Sequence, residues 1–146
     1  MKVLLVDDEP FILQGLSVLI DWAAEGCEIV KMASNGKEAL LYLEDHEADL
    51  VITDIKMPVM SGLELLEQIR GRQISDAFFI ILSGYNDFSY AQKAIRYACM
   101  DYLVKPVQKE ALLELIRKAK SSLAVTEQNA ENERRMQEMQ LKQYII

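Results

Sequence analysis

Residues 50–58 read LVITDIKMP, a short apolar run that ends on the acid Asp54 and is followed by a proline. A continuous apolar run of this length is typical of a strand that is buried on both faces of a parallel sheet. Similar runs recur along the chain, at residues 2–6 (KVLLV), 27–33 (CEIVKMA), 78–83 (FFIILS) and 100–104 (MDYLV). The sequence therefore predicts five short strands.

A stretch of amphipathic helix length follows each predicted strand. Pro10 is well placed in the first turn of the first helix. The inward face of that helix is predicted to carry Phe11, Ile12, Leu16, Leu19 and Ile20. Further helices are predicted after residues 35–36, after residues 61–62, over Phe88–Ala98 and from about Gln108. Strict alternation of strands and helices predicts an α/β, doubly wound, five-stranded parallel sheet with helices on both faces.

Length and composition restrict the classes of protein that this chain can belong to. A chain of 146 residues, 51% of them apolar, is expected to form one domain with its own core. Two cysteines 72 positions apart provide neither a zinc knuckle nor a disulfide framework, so we expect a reducing, cytoplasmic location. No apolar run approaches the roughly 18 residues that span a bilayer, so no membrane association is expected.

The charge is acidic throughout, with a net value of −7. Residues 1–120 carry 13 basic and 19 acidic side chains, and residues 121–146 carry three and four, which gives net charges of −6 and −1. Neither part has the basic surface that binding to a phosphate backbone requires. This chain alone is therefore not expected to bind DNA.

The C-terminal residues 121–146 differ from the rest because they contain no Pro or Gly and can continue the last helix. We expect residues 1–120 to form the domain and residues 121–146 a helical linker or signalling extension. Two registers for helix pairing are present in the sequence, and neither is fully apolar, so the coiled-coil signal is weak. The first passes through Leu112, Ile116, Ala119, Leu123, Thr126 and Ala130, and the second through Met136, Met139 and Ile146. The alternative is a solvated helix without a partner.

Polar groups follow the predicted strands at their carboxyl ends, where doubly wound sheets bind their ligands. Asp7 and Asp8 follow the first strand, Asp54 ends the third, Ser83 ends the fourth and Lys105 follows the fifth. Three carboxylates at one edge repel one another unless a cation neutralises them. Oxygen ligands without His or Cys suit Mg²⁺. The sequence therefore predicts a magnesium site at this edge.

The same residues carry a resemblance to a known family. Asp7-Asp8, Asp54-Ile-Lys-Met-Pro58, Ser83-Gly84 and Lys105-Pro106 resemble, in order and spacing, the signature of receiver domains from two-component response regulators. The resemblance covers about residues 1–120 and rests on several separated motifs. It implies the flavodoxin-like strand order 2-1-3-4-5.

The resemblance implies a role for each acidic residue. Asp54 would accept a phosphoryl group from a sensor histidine kinase and form an aspartyl phosphate. Asp8 and Asp54 would ligate Mg²⁺ together with the backbone carbonyl of Lys56, and Asp7 would act mainly through a bound water. Phosphoryl transfer needs positioning and charge neutralisation more than covalent chemistry, which fits this set of groups.

The resemblance also implies a switch. Lys105 and Ser83 would each bind a phosphoryl oxygen, and the Lys105–Pro106 peptide bond is expected to be cis. Ser83 would be drawn toward the phosphoryl group, and Tyr102 would rotate into the space that it leaves. The face formed by the fourth predicted helix, the fifth strand and the fifth predicted helix would then change shape and favour a homodimer. Tyr85, which would flank the path of an attacking water, predicts a long-lived phosphorylated form.

The stretch from Ser83 to Tyr97 is most similar to receivers that precede AraC-type DNA-binding domains in Gram-positive bacteria. This similarity implies a transcription regulator whose C-terminal DNA-binding output domain is absent from this chain. The alternative is a single-domain regulator that docks onto a partner protein. An aspartate-nucleophile phosphatase is disfavoured because Lys56 occupies the position of that family's second aspartate. We therefore expect a protein that catalyses only its own phosphoryl transfer and dephosphorylation.

Overall fold

Five parallel strands form one sheet in the order β2-β1-β3-β4-β5, which confirms the predicted topology. The computed structural model describes residues 1–84, 89, 92–93 and 99–144; between 126 and 144 only the side chains of 132 and 134–136 are described. The strands are β1 (Lys2–Val6), β2 (Glu28–Ala33), β3 (Leu50–Asp54), β4 (Phe78–Ser83) and β5 (Asp101–Val104). Every neighbouring pair is parallel, so all carboxyl ends meet at one edge.

Helices connect the strands and cover both faces of the sheet. They are α1 (Pro10–Leu19), α2 (Gly36–Asp45), α3 (Gly62–Gly71) and α4 (Lys109–Tyr144), the C-terminal helix. The fourth predicted helix, Phe88–Ala98, falls outside the described residues except for residues 89 and 92–93, which are helical. Asn35 and Ser61 begin α2 and α3 as caps, because their side chains accept hydrogen bonds from backbone N–H groups in the first turn.

The core has two parts, one on each face of the sheet. Helices α2 and α3 pack on one face around residues such as Leu40, Leu66 and Phe79. Helices α1 and α4 pack on the other face, where Leu13, Ile52 and Ile116 are buried. Together the two clusters bury β1, β3 and β4 on both faces of the sheet, which explains why the sequences of these strands are continuous apolar runs.

The predicted inward face of α1 is wrong in two respects, because it includes Phe11 and omits Leu13. Phe11 is 85% exposed, whereas Leu13 and Leu16 are the helix residues that are buried. This short helix carries apolar residues around most of its circumference, so spacing alone could not decide which of them face the sheet. Trp22, just beyond α1, is buried and its Nε1 donates a hydrogen bond to the carbonyl of Leu16, so it serves packing.

The C-terminal helix α4 is continuous over 36 residues, a length of roughly 54 Å at 1.5 Å per residue. Its first turns belong to the core, because Leu112, Ile116 and Ala119 are completely buried. The helix then continues to Tyr144, and its role as a linker stays a prediction. The division of the chain at residue 120 stays a prediction. Within the parts of the chain that the structure describes, no helix is long and apolar enough to cross a membrane.

Candidate functional site

Three carboxylates meet at the carboxyl edge of the sheet. Asp7 follows β1 and Asp54 ends β3, and these strands are neighbours with Val6 opposite Thr53. Oxygen atoms of Asp7, Asp8 and Asp54 all lie within 4.8 Å of one another. Asp7 is completely buried and Asp54 is 8% exposed, whereas Asp8 is exposed. The cluster is therefore closed on the protein side and open to solvent on the side of Asp8.

Lys105 provides the positive charge of the site. Its Nζ lies 3.0 Å from Asp7 Oδ2 and 3.2 Å from Asp54 Oδ2, so one ammonium bridges the two buried acids. The Lys105–Pro106 peptide bond is cis, as the resemblance implied. The backbone N–H of Lys105 donates a hydrogen bond to the carbonyl of Ser83, which joins the ends of β5 and β4.

Backbone groups hold the two buried carboxylates in place. Asp54 Oδ1 accepts a hydrogen bond of 2.8 Å from the N–H of Ile55, and Asp7 Oδ1 accepts one of 2.9 Å from the N–H of Glu9. Gly62, the first residue of α3, approaches the backbone of Asp54 so closely that a Cβ at this position would lie 2.0 Å from the Asp54 carbonyl oxygen. A glycine at residue 62 is therefore required for α3 to pack beside the strand end.

The electrostatics of the site follow from burial and from the crowding of like charges. Burial raises the pKa of the Asp54 carboxyl above its usual range, and the Asp7 charge adds to this, although Lys105 opposes both. Burial lowers the pKa of Lys105, but its hydrogen bond to Asp7 and the charge of Asp54 outweigh burial and raise that pKa. The ionised form of Asp54 is therefore disfavoured relative to a free aspartate, whereas Lys105 remains protonated.

The donor set fits a hard divalent cation. Three carboxylates within 4.8 Å carry two more negative charges than Lys105 neutralises, and they offer only oxygen ligands. Mg²⁺ prefers one or two carboxylates together with water and phosphate oxygens, so Asp8 and Asp54 are suitable direct ligands and Asp7 a suitable partner for a bound water. Lys56 lies two residues after Asp54 with an exposed side chain, and the ligand role of its backbone carbonyl stays a prediction.

The two predicted switch residues lie on adjacent strands. Ser83 is 3% exposed and follows Leu82, which is paired with Asp54, so it ends β4 at the same edge as the acids. Tyr102 is half-buried, pairs with Ile81 and packs against the core under α2 and α3. Its rotation stays a prediction. Tyr85, on which a long-lived phosphorylated form was predicted, lies outside the described residues.

Two features of the site were not predicted from the sequence. The first is the pairing of Lys105 with Asp7, because sequence reasoning assigned the lysine only to a phosphoryl oxygen. The second is the close contact of Gly62 with Asp54, although a glycine eight residues after a strand-end acid is a signal that could have suggested it. Both features organise the site rather than add a new reactive group.

Comparison with known proteins identifies the family. Residues 3–117 match the family described as Response regulator receiver domain. The chain belongs to this family. The receiver is 39% identical over 112 residues to the uncharacterized transcriptional regulatory protein YesN of Bacillus subtilis. The matched residues make up 77% of this chain and 30% of YesN. It is therefore the receiver domain of a two-component response regulator, a family whose members have sensor kinases as partners and bind Mg²⁺ at an acidic pocket.

Solved receivers have the same architecture. The receiver domain of AraT, a response regulator from Geobacillus stearothermophilus, matches with a TM-score of 0.80 and 39% identity, over 86% of this chain and 97% of that one. A two-component transcriptional regulator AraC from Clostridium phytofermentans matches with a TM-score of 0.76 and 28% identity, over 85% and 95% of the two chains. The predicted likeness to receivers of AraC-type regulators is confirmed. The chain spans 30–46% of the length of the curated relatives that it matches.

Proposed function

We propose that this receiver accepts a phosphoryl group onto Asp54 from a sensor histidine kinase, with Mg²⁺, and thereby controls a transcription regulator. The observation that supports the proposal most directly is the position of Asp54. Its carboxylate is 8% exposed, is held at one oxygen by Ile55 N–H, and lies 3.2 Å from Lys105 at the other. This is a fixed oxygen nucleophile beside a fixed cation.

The residues of the site suit an in-line transfer. An oxygen of Asp54 forms a bond to phosphorus while the bond from phosphorus to the donor histidine nitrogen breaks, and that nitrogen keeps the electron pair. Lys105, already within reach of Asp54, would bind a phosphoryl oxygen as a compact positive charge. Ser83 would bind another oxygen from the end of β4. Asp8, Asp54 and the backbone carbonyl of Lys56 would hold Mg²⁺, with Asp7 acting mainly through a bound water, and the ion would neutralise phosphoryl charge.

The acceptor carboxylate is part of the protein and is consumed in the transfer, so the domain acts as a phosphorylated signal carrier that also catalyses its own dephosphorylation. It is not an enzyme acting on other substrates. We place it in the cytoplasm, where its kinase partner would phosphorylate it.

The output would depend on a conformational change at β5. A phosphoryl group adds about −1.5 to −2 charges and three acceptor oxygens at Asp54. Ser83, at the end of β4, would move toward these oxygens, and Tyr102, on the neighbouring strand, would turn inward. The face formed by the Phe88–Ala98 region, β5 and α4 would then favour a homodimer. DNA binding would belong to a C-terminal output domain of a longer protein, as the transcriptional relatives suggest.

The test is to incubate the chain with Mg²⁺ and acetyl phosphate and to measure intact mass and light scattering on the same samples. We expect a mass gain of about 80 Da, one phosphoryl group, in the parent but not in Asp54→Ala, together with a shift from monomer to dimer. Phosphorylation without a dimer would instead favour the single-domain regulator that docks onto a partner. If the parent gains no mass, or if Asp54→Ala gains the same mass, the proposal is refuted.

A further inference from the structure

The C-terminal helix α4 has two differently used sides. Leu112, Ile116 and Ala119 are completely buried against the sheet, and Leu115 is 7% exposed. These residues include the first half of one of the two pairing registers seen in the sequence. The domain itself already occupies that side of the helix from Leu112 to Ala119, so a second helix cannot approach along these turns.

A second stripe on α4 is exposed. Val125 is 59% exposed, Met136 is 65% exposed, and Asn132 between them is also exposed. Spacings of seven and four residues place the three on one face of a helix. At 100° per residue, this face is rotated roughly 130° from the buried side of α4. The exposed stripe therefore points away from the domain that carries it.

Charge is excluded from this stripe. Helical spacing places no charged residue of the extension within it. The charged residues all fall at other positions around the helix, and they are Glu127, Glu131, Glu133, Arg134, Arg135, Glu138 and Lys142. Residues 121–146 carry four acidic and three basic side chains, so two copies would bring together only one net negative charge each.

We propose that the stripe through Val125, Asn132 and Met136 is the surface on which two copies of this chain pair as parallel helices. The inference rests on the homodimer in the proposed function. It adds a contact between the two C-terminal helices to the contact through the face that includes β5. A second copy is the favoured occupant because the stripe is uncharged and the flanking charges nearly cancel, so identical helices can meet about a two-fold axis. The two receiver domains would then lie on the outer sides of the helix pair, at the same end.

Disulfide cross-linking tests the geometry. Single cysteines are introduced as Val125→Cys or Met136→Cys in a Cys27→Ala, Cys99→Ala background, and as Ala124→Cys or Arg134→Cys for matched controls. All four positions are exposed, so thiol access is comparable. With acetyl phosphate, Mg²⁺ and copper phenanthroline, we expect both stripe variants to form disulfide-linked dimers at least about ten-fold faster than the controls. Cross-linking at both 125 and 136 requires parallel helices, because an antiparallel pair could align only one of them with itself.

A charge placed in the stripe gives an independent test with both native cysteines present. Val125→Glu should weaken the phosphorylated dimer at least about ten-fold in light scattering, and Ala124→Glu should leave its affinity within about two-fold. Equal cross-linking at stripe and control positions, or equal weakening by the two glutamates, would overturn the stripe and leave the proposed dimer intact. A phosphorylated chain that remains monomeric would overturn both the stripe and the dimer, while the mass gain would still establish the phosphoacceptor.

Discussion

Replacing Asp54, the proposed phosphoacceptor, by its uncharged analogue should make the metal-free protein more stable. In Asp54→Asn the side-chain oxygen can still accept the hydrogen bond from Ile55 N–H, while the amide nitrogen replaces the oxygen that pairs with Lys105 Nζ. What the substitution removes is a buried negative charge in a cluster of three acids. The proposed function of Asp54 therefore lowers the stability of the metal-free fold, and this loss is measurable.

The size of the effect follows from the distances. At an effective dielectric constant of about 20, each like charge within 4.8 Å of Asp54 repels it by at least about 3.5 kcal/mol, and Lys105 at 3.2 Å attracts it by about 5 kcal/mol. Asp8 is exposed, so its repulsion is screened, but burial of the Asp54 charge adds to the penalty. We expect Asp54→Asn to stabilise the fold by about 1–2 kcal/mol, or about 3–8 °C in Tm.

The assay is urea and thermal unfolding in EDTA, with Glu47→Gln, which neutralises an exposed carboxylate in the loop before β3, as the control. Because the native pKa of Asp54 is raised, the native state holds a proton there more tightly than the unfolded chain does. Wild-type stability from this group is present at acid pH and is lost as the pH rises through the raised pKa. The advantage of Asp54→Asn should therefore grow as the pH rises above the ordinary pKa of an aspartate and through the raised pKa of Asp54, and it should shrink when Mg²⁺ is added. An Asp54→Asn protein no more stable than the parent at neutral pH in EDTA would refute this reasoning.

Three further substitutions probe the frame of the site. Val59, in the loop after β3, has a φ of 70°, which a β-branched residue tolerates poorly. Val59→Asn should therefore stabilise the fold by about 1 kcal/mol in urea unfolding. Val18→Asn, at an equally exposed valine of α1, is the control and should change stability by less than about 0.5 kcal/mol. Gly62→Ala should destabilise by about 3 kcal/mol or more, because its Cβ would overlap the Asp54 carbonyl; a Tm unchanged from the parent would show that α3 can shift freely. Lys105→Met should lower stability in EDTA by about 1–3 kcal/mol, since buried Asp7 loses its cation, and Mg²⁺ should restore part of the loss; equal losses with and without Mg²⁺ would contradict the shared-site account.

Most of the fold and the site could be predicted from the sequence because the buried strands and their terminal groups are local signals. The bounds of β1, β3 and β4 agree with the predicted runs, and the sheet order is the one implied by the resemblance. Parallel strands bring all their carboxyl ends to one edge, so Asp7, Asp54 and Lys105 could be expected to meet although they are distant in sequence.

The features that were missed depend on tertiary packing. Exposure of Phe11 could not be predicted, because α1 is apolar on several sides and only the position of the sheet decides which side is covered. The positive φ of Val59 reflects the path of the loop beside Asp54 and carries no glycine or asparagine as a signal. The choice between the two registers of α4 needed the burial of Leu112 and Ile116, which spacing alone does not give.

The measurement that tests the central claim most directly is chemical identification of the phosphorylated residue. The chain is phosphorylated with acetyl phosphate and Mg²⁺, reduced with borohydride, digested, and the peptides are sequenced by mass spectrometry. Borohydride reduces an aspartyl phosphate to homoserine, so the account predicts homoserine at position 54, and none there when Mg²⁺ is replaced by EDTA. Homoserine at Asp7 or Asp8 instead, or unmodified aspartate at position 54 in a chain that has gained phosphate, would contradict it.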